Sequence, residues 1–178
     1  KRNSFLNKVE LLAPAGSYES FLGAIHAGAD AVYLGGVKFG ARAFADNFDE
    51  ETLKRAIYYA HLFDRKVYLT LNTLMKQTEL EEIEEFFTPF YLAGLDGVIV
   101  QDLGVFSMVK KLFPDIHIHC STQMNITSVH AASFMKNQGA SRIVTAREMS
   151  LEEIRKIKED AVIDTLIGEI KAMTAHGE

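Results

Sequence analysis

The chain has 178 residues, 48% apolar and 24% charged, with a net charge of −5. That length suits one domain able to bury a core, and the apolar share excludes a disordered chain. The acidic balance excludes an overall basic nucleic-acid footprint, though not a local basic patch, and no apolar run reaches the roughly 18 residues of a membrane helix.

The start, Lys1 to Lys8, carries basic residues with no long apolar run behind them, so no secretory signal is expected. Val9-Glu10-Leu11-Leu12-Ala13, closed by Pro14, reads as a first buried strand. Ser17 stands as N-cap before Phe21, Leu22, Ala24 and Ile25 at helical spacing, and Gly28 ends that helix. Ala31 to Leu34 is the second strand, stopped by Gly35-Gly36. Asp49 caps a helix through His61, followed by a strand from Lys66 to Asn72. Thr78 caps an acidic helix toward Leu92, with Pro89 marking a kink or an early end. Gly97 to Gln101, Ile116 to Ser121 and Arg142 to Ala146 read as further strands. Helices Leu103 to Phe113 and Ser128 to Asn137 follow the first two, and Ser150 caps a sixth helix.

The joints Ala27-Gly28-Ala29-Asp30-Ala31, Ala93-Gly94-Leu95-Asp96-Gly97 and Gln138-Gly139-Ala140-Ser141-Arg142 repeat one pattern: glycine ends a helix and a strand begins two or three residues later. Short strands alternating with helices imply right-handed crossovers and a parallel sheet buried on both faces. The expected fold is therefore α/β, a TIM-barrel-like parallel barrel left incomplete by six βα units; an open doubly wound sheet is the alternative. Leu11, Val32, Leu69, Ile99, Ile118 and Val144 are expected in the core. The pattern breaks after Asp160, dividing the chain into a barrel domain over 1–160 and an atypical helical tail over 161–178. In that tail Val162, Ile163, Leu166, Ile167 and Ile170 are expected to cover the open side or a second copy of the chain.

In parallel α/β folds the functional groups collect at the carboxyl ends of strands. There the chain places Asn72, Gln101, Ser121, Gln123, Asn125 and Arg147, with His119 near its strand end and Arg42 in the long loop after strand two. These eight are the candidate binding residues. Such a rim suits an oxygen-rich or planar ligand and suits a metal poorly, so no metal site is expected. His119 is either a base or ligand-binding group or a satisfied core histidine, and Arg42 either clamps an anion or stacks on Phe39 or Phe44. His26, His61 and His130 read as surface or packing residues, and Asp102 as a helix cap or a catalytic acid. Cys120 is the sole cysteine and should point opposite to His119. One thiol makes no internal disulfide or four-thiolate cluster, which points to a reducing, cytoplasmic setting. No nucleophilic triad is legible, and the catalytic residues stay unassigned.

Several blocks occur in order: Glu10 to Gly16, Ala27 to Gly36, Phe39 to Arg42 with Asn47-Phe48, Thr70 to Thr73, Val100 to Gly104, His119 to Asn125, and Arg147-Glu148. Together they make the chain resemble the barrel domain of the collagenase-like peptidase family U32. The resemblance implies either a part in hydroxylation of RNA, transfer RNA above all, or a collagenase-like peptidase activity. A non-catalytic scaffold, half of a heterodimer, is the third reading. RNA or a small carboxylate is the implied partner, and a homo- or heterodimer the implied assembly. The hydroxylation-linked relatives carry an iron–sulfur cluster on cysteines downstream of the sixth unit. Those cysteines are absent here, so no cofactor is expected in this chain and a cluster only in a longer protein.

Overall fold

The computed structural model describes residues 10–39 and 48–166. In chain order the elements are β1 (Leu12–Ala15), α1 (Tyr18–His26), β2 (Ala31–Gly35), α2 (Glu50–Leu62), β3 (Lys66–Leu71), α3 (Gln77–Leu80), α4 (Ile83–Leu92), β4 (Gly97–Val100), α5 (Leu103–Leu112), β5 (His117–Cys120), a short 3-10 turn (Thr122–Met124), α6 (Val129–Gln138), β6 (Arg142–Val144), α7 (Leu151–Asp160) and β7 (Asp164–Leu166). The chain divides into two compact units, residues 1–70 with 88–96, and residues 71–87 with 97–178.

In the first unit β1 pairs with β2 and β2 with β3, all parallel. Ala31, Val32 and Leu34 of β2 and Val67 and Leu69 of β3 are buried, with Phe21 and Ile25 of α1 and Leu53, Ala56, Ile57 and Ala60 of α2. Burying each larger side chain contributes about 1.5–3 kcal/mol. Phe21 meets the Phe48 and Tyr59 rings edge-on, at 6.5 and 6.2 Å between centroids. Ser17 and Asp49 cap α1 and α2 as the sequence implies. β1 begins later than expected and includes Pro14, which is exposed; a proline is tolerated where its missing N–H would face away from a ladder. Leu11 therefore lies ahead of the strand and is 59% exposed, against the expectation of a buried residue.

The second unit holds β4-β5-β6-β7 in sequential parallel order. A doubly wound sheet reverses its strand order at a switch point; neither unit does. Val98, Val100, Ile118, Cys120 and Ile143 are fully buried, along with Val105 and Val109 of α5, Ala132 of α6 and Ile157 of α7. Phe87 packs against Phe113 with the rings tilted by 54° and centroids 4.8 Å apart. The acidic helix starts differently from the reading. Lys76, not Thr78, is the N-cap of α3, its backbone N–H donating to Glu79 at 2.7 Å, and α4 runs through Pro89.

A third correction concerns the tail. Within the helix expected over 161–178, Asp164, Thr165 and Leu166 instead form β7 and pair with Arg142, Ile143 and Val144; residues 167–178 lie outside the described residues. Apolar periodicity does not separate a short strand from a helix, and here β6 supplies the ladder. Ile163 is buried, Leu166 half-buried and Val162 71% exposed. Ile167 and Ile170 lie outside the described residues.

The repeated joints share one hydrogen-bonding device. Gly28, Gly94 and Gly139 sit at φ of 94°, 89° and 106°, a region L side chains avoid. The residue two positions on then reaches back to an earlier strand or to the residue just ahead of it. Asp30 N–H donates to Leu11 O, Asp96 N–H to Val67 O and Ser141 N–H to Ile118 O. Both acids also accept a backbone N–H through Oδ2, Asp30 from Leu11 at 3.0 Å and Asp96 from Val67 at 2.8 Å.

Candidate functional site

In parallel strands, register partners point to the same face and successive residues alternate. Ile99 aligns with His119, His119 with Arg142, and Arg142 with Asp164. Continuing the alternation puts Gln101 and Ser121 on that face and Val98, Val100, Ile118, Cys120 and Ile143 on the other. The second set is wholly buried and apolar, the side the helices cover. The first set carries the polar groups. His119 and Ser121 are 3% and 4% exposed, and Gln101 is half-buried.

Beyond the strand ends the backbone is shaped by the same side chains. Ser121 N–H extends the ladder to Val100 O at 2.8 Å, while its Oγ accepts Gln123 N–H at 3.3 Å and caps the 3-10 turn. Asn125 closes that turn at φ 52°, a left-handed conformation that asparagine tolerates. Asp102 turns out to be a cap. Its Oδ1 accepts Gly104 N–H at 2.7 Å and Val105 N–H at 3.0 Å, and its Oδ2 accepts Met75 N–H at 3.3 Å, which ties down the segment after β3.

Seven of the eight sequence candidates thus fall in the second unit: His119 on β5, and Asn72, Gln101, Ser121, Gln123, Asn125 and Arg147 after the carboxyl ends of β3, β4, β5 and β6. The register groups Gln101, His119 and Ser121 on one face. Asn72 is half-buried, whereas Gln123, Asn125 and Arg147 are exposed in their loops. Arg42 lies outside the described residues. Arg142 and Asp164 share the His119 face and were not singled out from sequence. The alternation of Arg142 with Val144 was a signal for the first; recognising the second required knowing that Asp164 starts a strand.

Cys120 is buried among apolar side chains, and this burial pushes its thiol up to about 12. The thiolate that nucleophilic or ligand chemistry needs is therefore disfavoured. Among the described residues no group of three or more His, Cys, Asp or Glu side chains could hold a metal ion. With one buried thiol, these residues do not fit an iron–sulfur cluster.

In the first unit a cavity of about 410 Å³ is lined by Glu10, Asp30, His61, Asp64, Arg65, Lys66 and Asp96. It lies at the amino ends of the strands, where residues serve stability. Its charges are largely engaged with one another: Arg65 with Asp30 at 3.0 Å, Lys66 with Glu10 at 3.4 Å, and His61 with Asp96 at 3.0 Å. His61 is thus a packing residue, as expected. His26 likewise meets the Tyr59 hydroxyl at 2.9 Å, and His130 is exposed on α6.

Sequential parallel strands, helices on one face and polar groups at the carboxyl strand ends define an α/β protein of the TIM-barrel type. Residues 16–172 match peptidase family U32, and the chain belongs to that family. It is 36% identical over 157 residues to the tRNA hydroxylation protein P1 of Bacillus subtilis, covering 88% of this chain and 37% of that protein. It is 39% identical over 163 residues to the 23S rRNA 5-hydroxycytidine C2501 synthase of Escherichia coli, covering 90% of this chain and 24% of that protein. The chain therefore spans well under half the length of these relatives. A solved structure, the U32 peptidase Mk0906, superposes with a TM-score of 0.71 at 13% identity, over 89% of this chain and 67% of that one; at that identity the likeness is one of fold. Among the described residues no helix is long and apolar enough to cross a membrane.

Proposed function

We propose that this chain is the ligand-binding barrel segment of a cytoplasmic protein acting in RNA hydroxylation, with transfer RNA the leading substrate. The observation that carries the reading is the polar face of the second unit. Buried His119 and Ser121, beside Gln101, occupy the strand ends where an α/β fold receives a ligand. The names of the two relatives support the reaction class. Uncharged donors and acceptors around an imidazole suit a planar base or a small carboxylate, held by hydrogen bonds that water does not dilute. Asn72, Gln123, Asn125 and Arg147 would complete the contacts from their loops. An iron–sulfur cluster, if the longer protein uses one, would be held by cysteines outside this chain. The peptidase reading rests on the family name, and the one thiol is buried and faces the helices.

The test is complementation. The full reading frame carrying this segment is expressed in Bacillus subtilis lacking the tRNA hydroxylation protein P1, and transfer RNA nucleosides are profiled by mass spectrometry. Restored hydroxylation is expected, and His119→Ala or Gln101→Ala should reduce it by roughly tenfold or more, the loss typical of a binding hydrogen bond in a dry site. Stable, folded protein that restores nothing, yet cleaves peptides in a highly purified preparation, would overturn the reading in favour of the peptidase.

A further inference from the structure

Three candidates stand outside the roles already assigned: the charged cavity of the first unit, the exposed apolar residues of α2 and the join between α5 and the segment after β3. The cavity's charges are largely paired with one another, and nothing shows what would cover Tyr58 and Leu62. The join carries an inference. Residues 72–82, which lead from the carboxyl end of β3 through α3 to α4, include no buried residue. A segment with so little burial opens easily unless polar contacts hold it. Two contacts fasten it to the first turn of α5. Asp102 Oδ2 accepts the Met75 N–H at 3.3 Å, while Oδ1 caps the helix through the Gly104 and Val105 N–H groups. A Cβ on Gly104 would stand 2.9 Å from Asp102 Oδ1 and 3.1 Å from Leu80 Cδ1, so the bare glycine makes room for the carboxylate and for Leu80 of α3 alike. Asp102 directly follows Gln101 at the carboxyl end of β4, and Met75 lies three residues beyond Asn72 at the end of β3. The run Gln101-Asp102-Leu103-Gly104 therefore joins two arms of the polar rim.

We propose that Asp102 is a positioning residue of the binding rim: its carboxylate fastens residues 72–82 to α5 and so sets Asn72 and Gln101 relative to one another. This rests on the ligand-binding rim proposed above and adds what holds two of its groups in place. A helix cap alone is the competing explanation. A cap needs one acceptor oxygen, which asparagine supplies as well as aspartate. Asp102 uses both of its oxygens, and the amide nitrogen of an asparagine accepts nothing in the second position.

The test compares wild type with Asp102→Asn in the full reading frame, by hydrogen exchange of the purified protein and by the complementation assay above. Asp102→Asn should melt close to wild type and leave exchange over Leu103–Leu112 unchanged, because the cap of α5 survives. Exchange over residues 72–82 should speed up by roughly tenfold or more, the worth of a hydrogen bond to a charged group. Hydroxylation should fall by roughly tenfold or more, because small displacements of groups that orient a ligand cost that much. Folded Asp102→Asn with wild-type exchange over residues 72–82, or with faster exchange and wild-type hydroxylation, overturns the proposal. Where His119→Ala still loses hydroxylation in that case, the binding rim stands without this role for Asp102. If Asp102→Asn does not fold, Gly104→Ala decides, since it keeps the carboxylate but crowds it and Leu80. Faster exchange over residues 72–82 together with reduced hydroxylation then supports the proposal, and a wild-type value of either overturns it. A wild-type protein that restores no hydroxylation removes the proposed function and the role of Asp102 together.

Discussion

Removing the Asp96 carboxylate tests whether the repeated helix-to-strand joint is a stabilising device. Asp96 Oδ2 accepts the Val67 N–H at 2.8 Å and lies 3.0 Å from His61 Nε2. Val67 is wholly buried, so in Asp96→Ala its N–H loses a charged acceptor inside the sheet. A hydrogen bond to a charged group is worth about 1.5–3 kcal/mol, and an orphaned buried donor costs about 1–3 kcal/mol; the two overlap, so they do not simply add. With the Asp96 side chain 24% exposed, water offsets part of the loss, and about 2–3 kcal/mol is expected. The His61 contact is the lesser term. His61 is 39% exposed, and an exposed pair of this kind contributes under about 1 kcal/mol. Asp96→Asn keeps an acceptor oxygen and should cost about 1 kcal/mol. The assay is urea unfolding at fixed pH, with hydrogen exchange of the Val67 amide as the local readout. An Asp96→Ala variant within about 0.5 kcal/mol of wild type, or one no worse than His61→Ala, would refute the argument.

Three further outcomes are expected of the same fold. Gly139→Ala should destabilise by about 1–2 kcal/mol through its left-handed backbone. A Cβ there would meet Lys110 Cε at 2.7 Å, but that flexible tail can swing away, so the cost in chemical denaturation should match Gly28→Ala, where no atom lies within 4 Å; a much larger loss would mean that Lys110 is fixed. Cys120 should react slowly with iodoacetamide in the folded protein, because burial keeps it a thiol at neutral pH, and Cys120→Ser should preserve RNA hydroxylation in the complementation assay; rapid labelling would contradict the assigned face. Hydrogen bonds from Ser150 hold the Glu153 carboxyl below its ordinary value, so the cap stabilises above the unfolded value and is lost as pH falls through the folded one. Glu153→Ala should therefore melt lower than wild type at neutral pH, and the gap should narrow as acid protonates the carboxyl, while the Ser150 Oγ cap of residue 153 persists in both; a constant gap down to acid pH would be the wrong sign.

The βα alternation, most helix boundaries and the parallel order were legible because they rest on local causes. Ser17, Asp49, Asp102, Ser128 and Ser150 cap helices with their own side chains, and Gly28, Gly94 and Gly139 terminate them by adopting positive φ. Strand alternation likewise fixes, from sequence, that Cys120 and His119 face opposite ways. The pairing of distant strands was decided by the tertiary structure. The segment after Asp160 has an apolar pattern compatible with either helix or strand, and β6 selected the strand by offering it a ladder. That choice placed Asp164 beside Arg142 and so revealed a charged row that composition could not announce. Leu11 was misjudged for a related reason: the run Val9 to Ala13 is apolar enough for a strand, but pairing with β2 starts at Leu12 and leaves Leu11 outside. Sequence sets what each segment can form, because caps, glycines and periodicity act within a few residues. Register, edge and face depend on which neighbour supplies the hydrogen bonds, and the folded structure alone determines that neighbour.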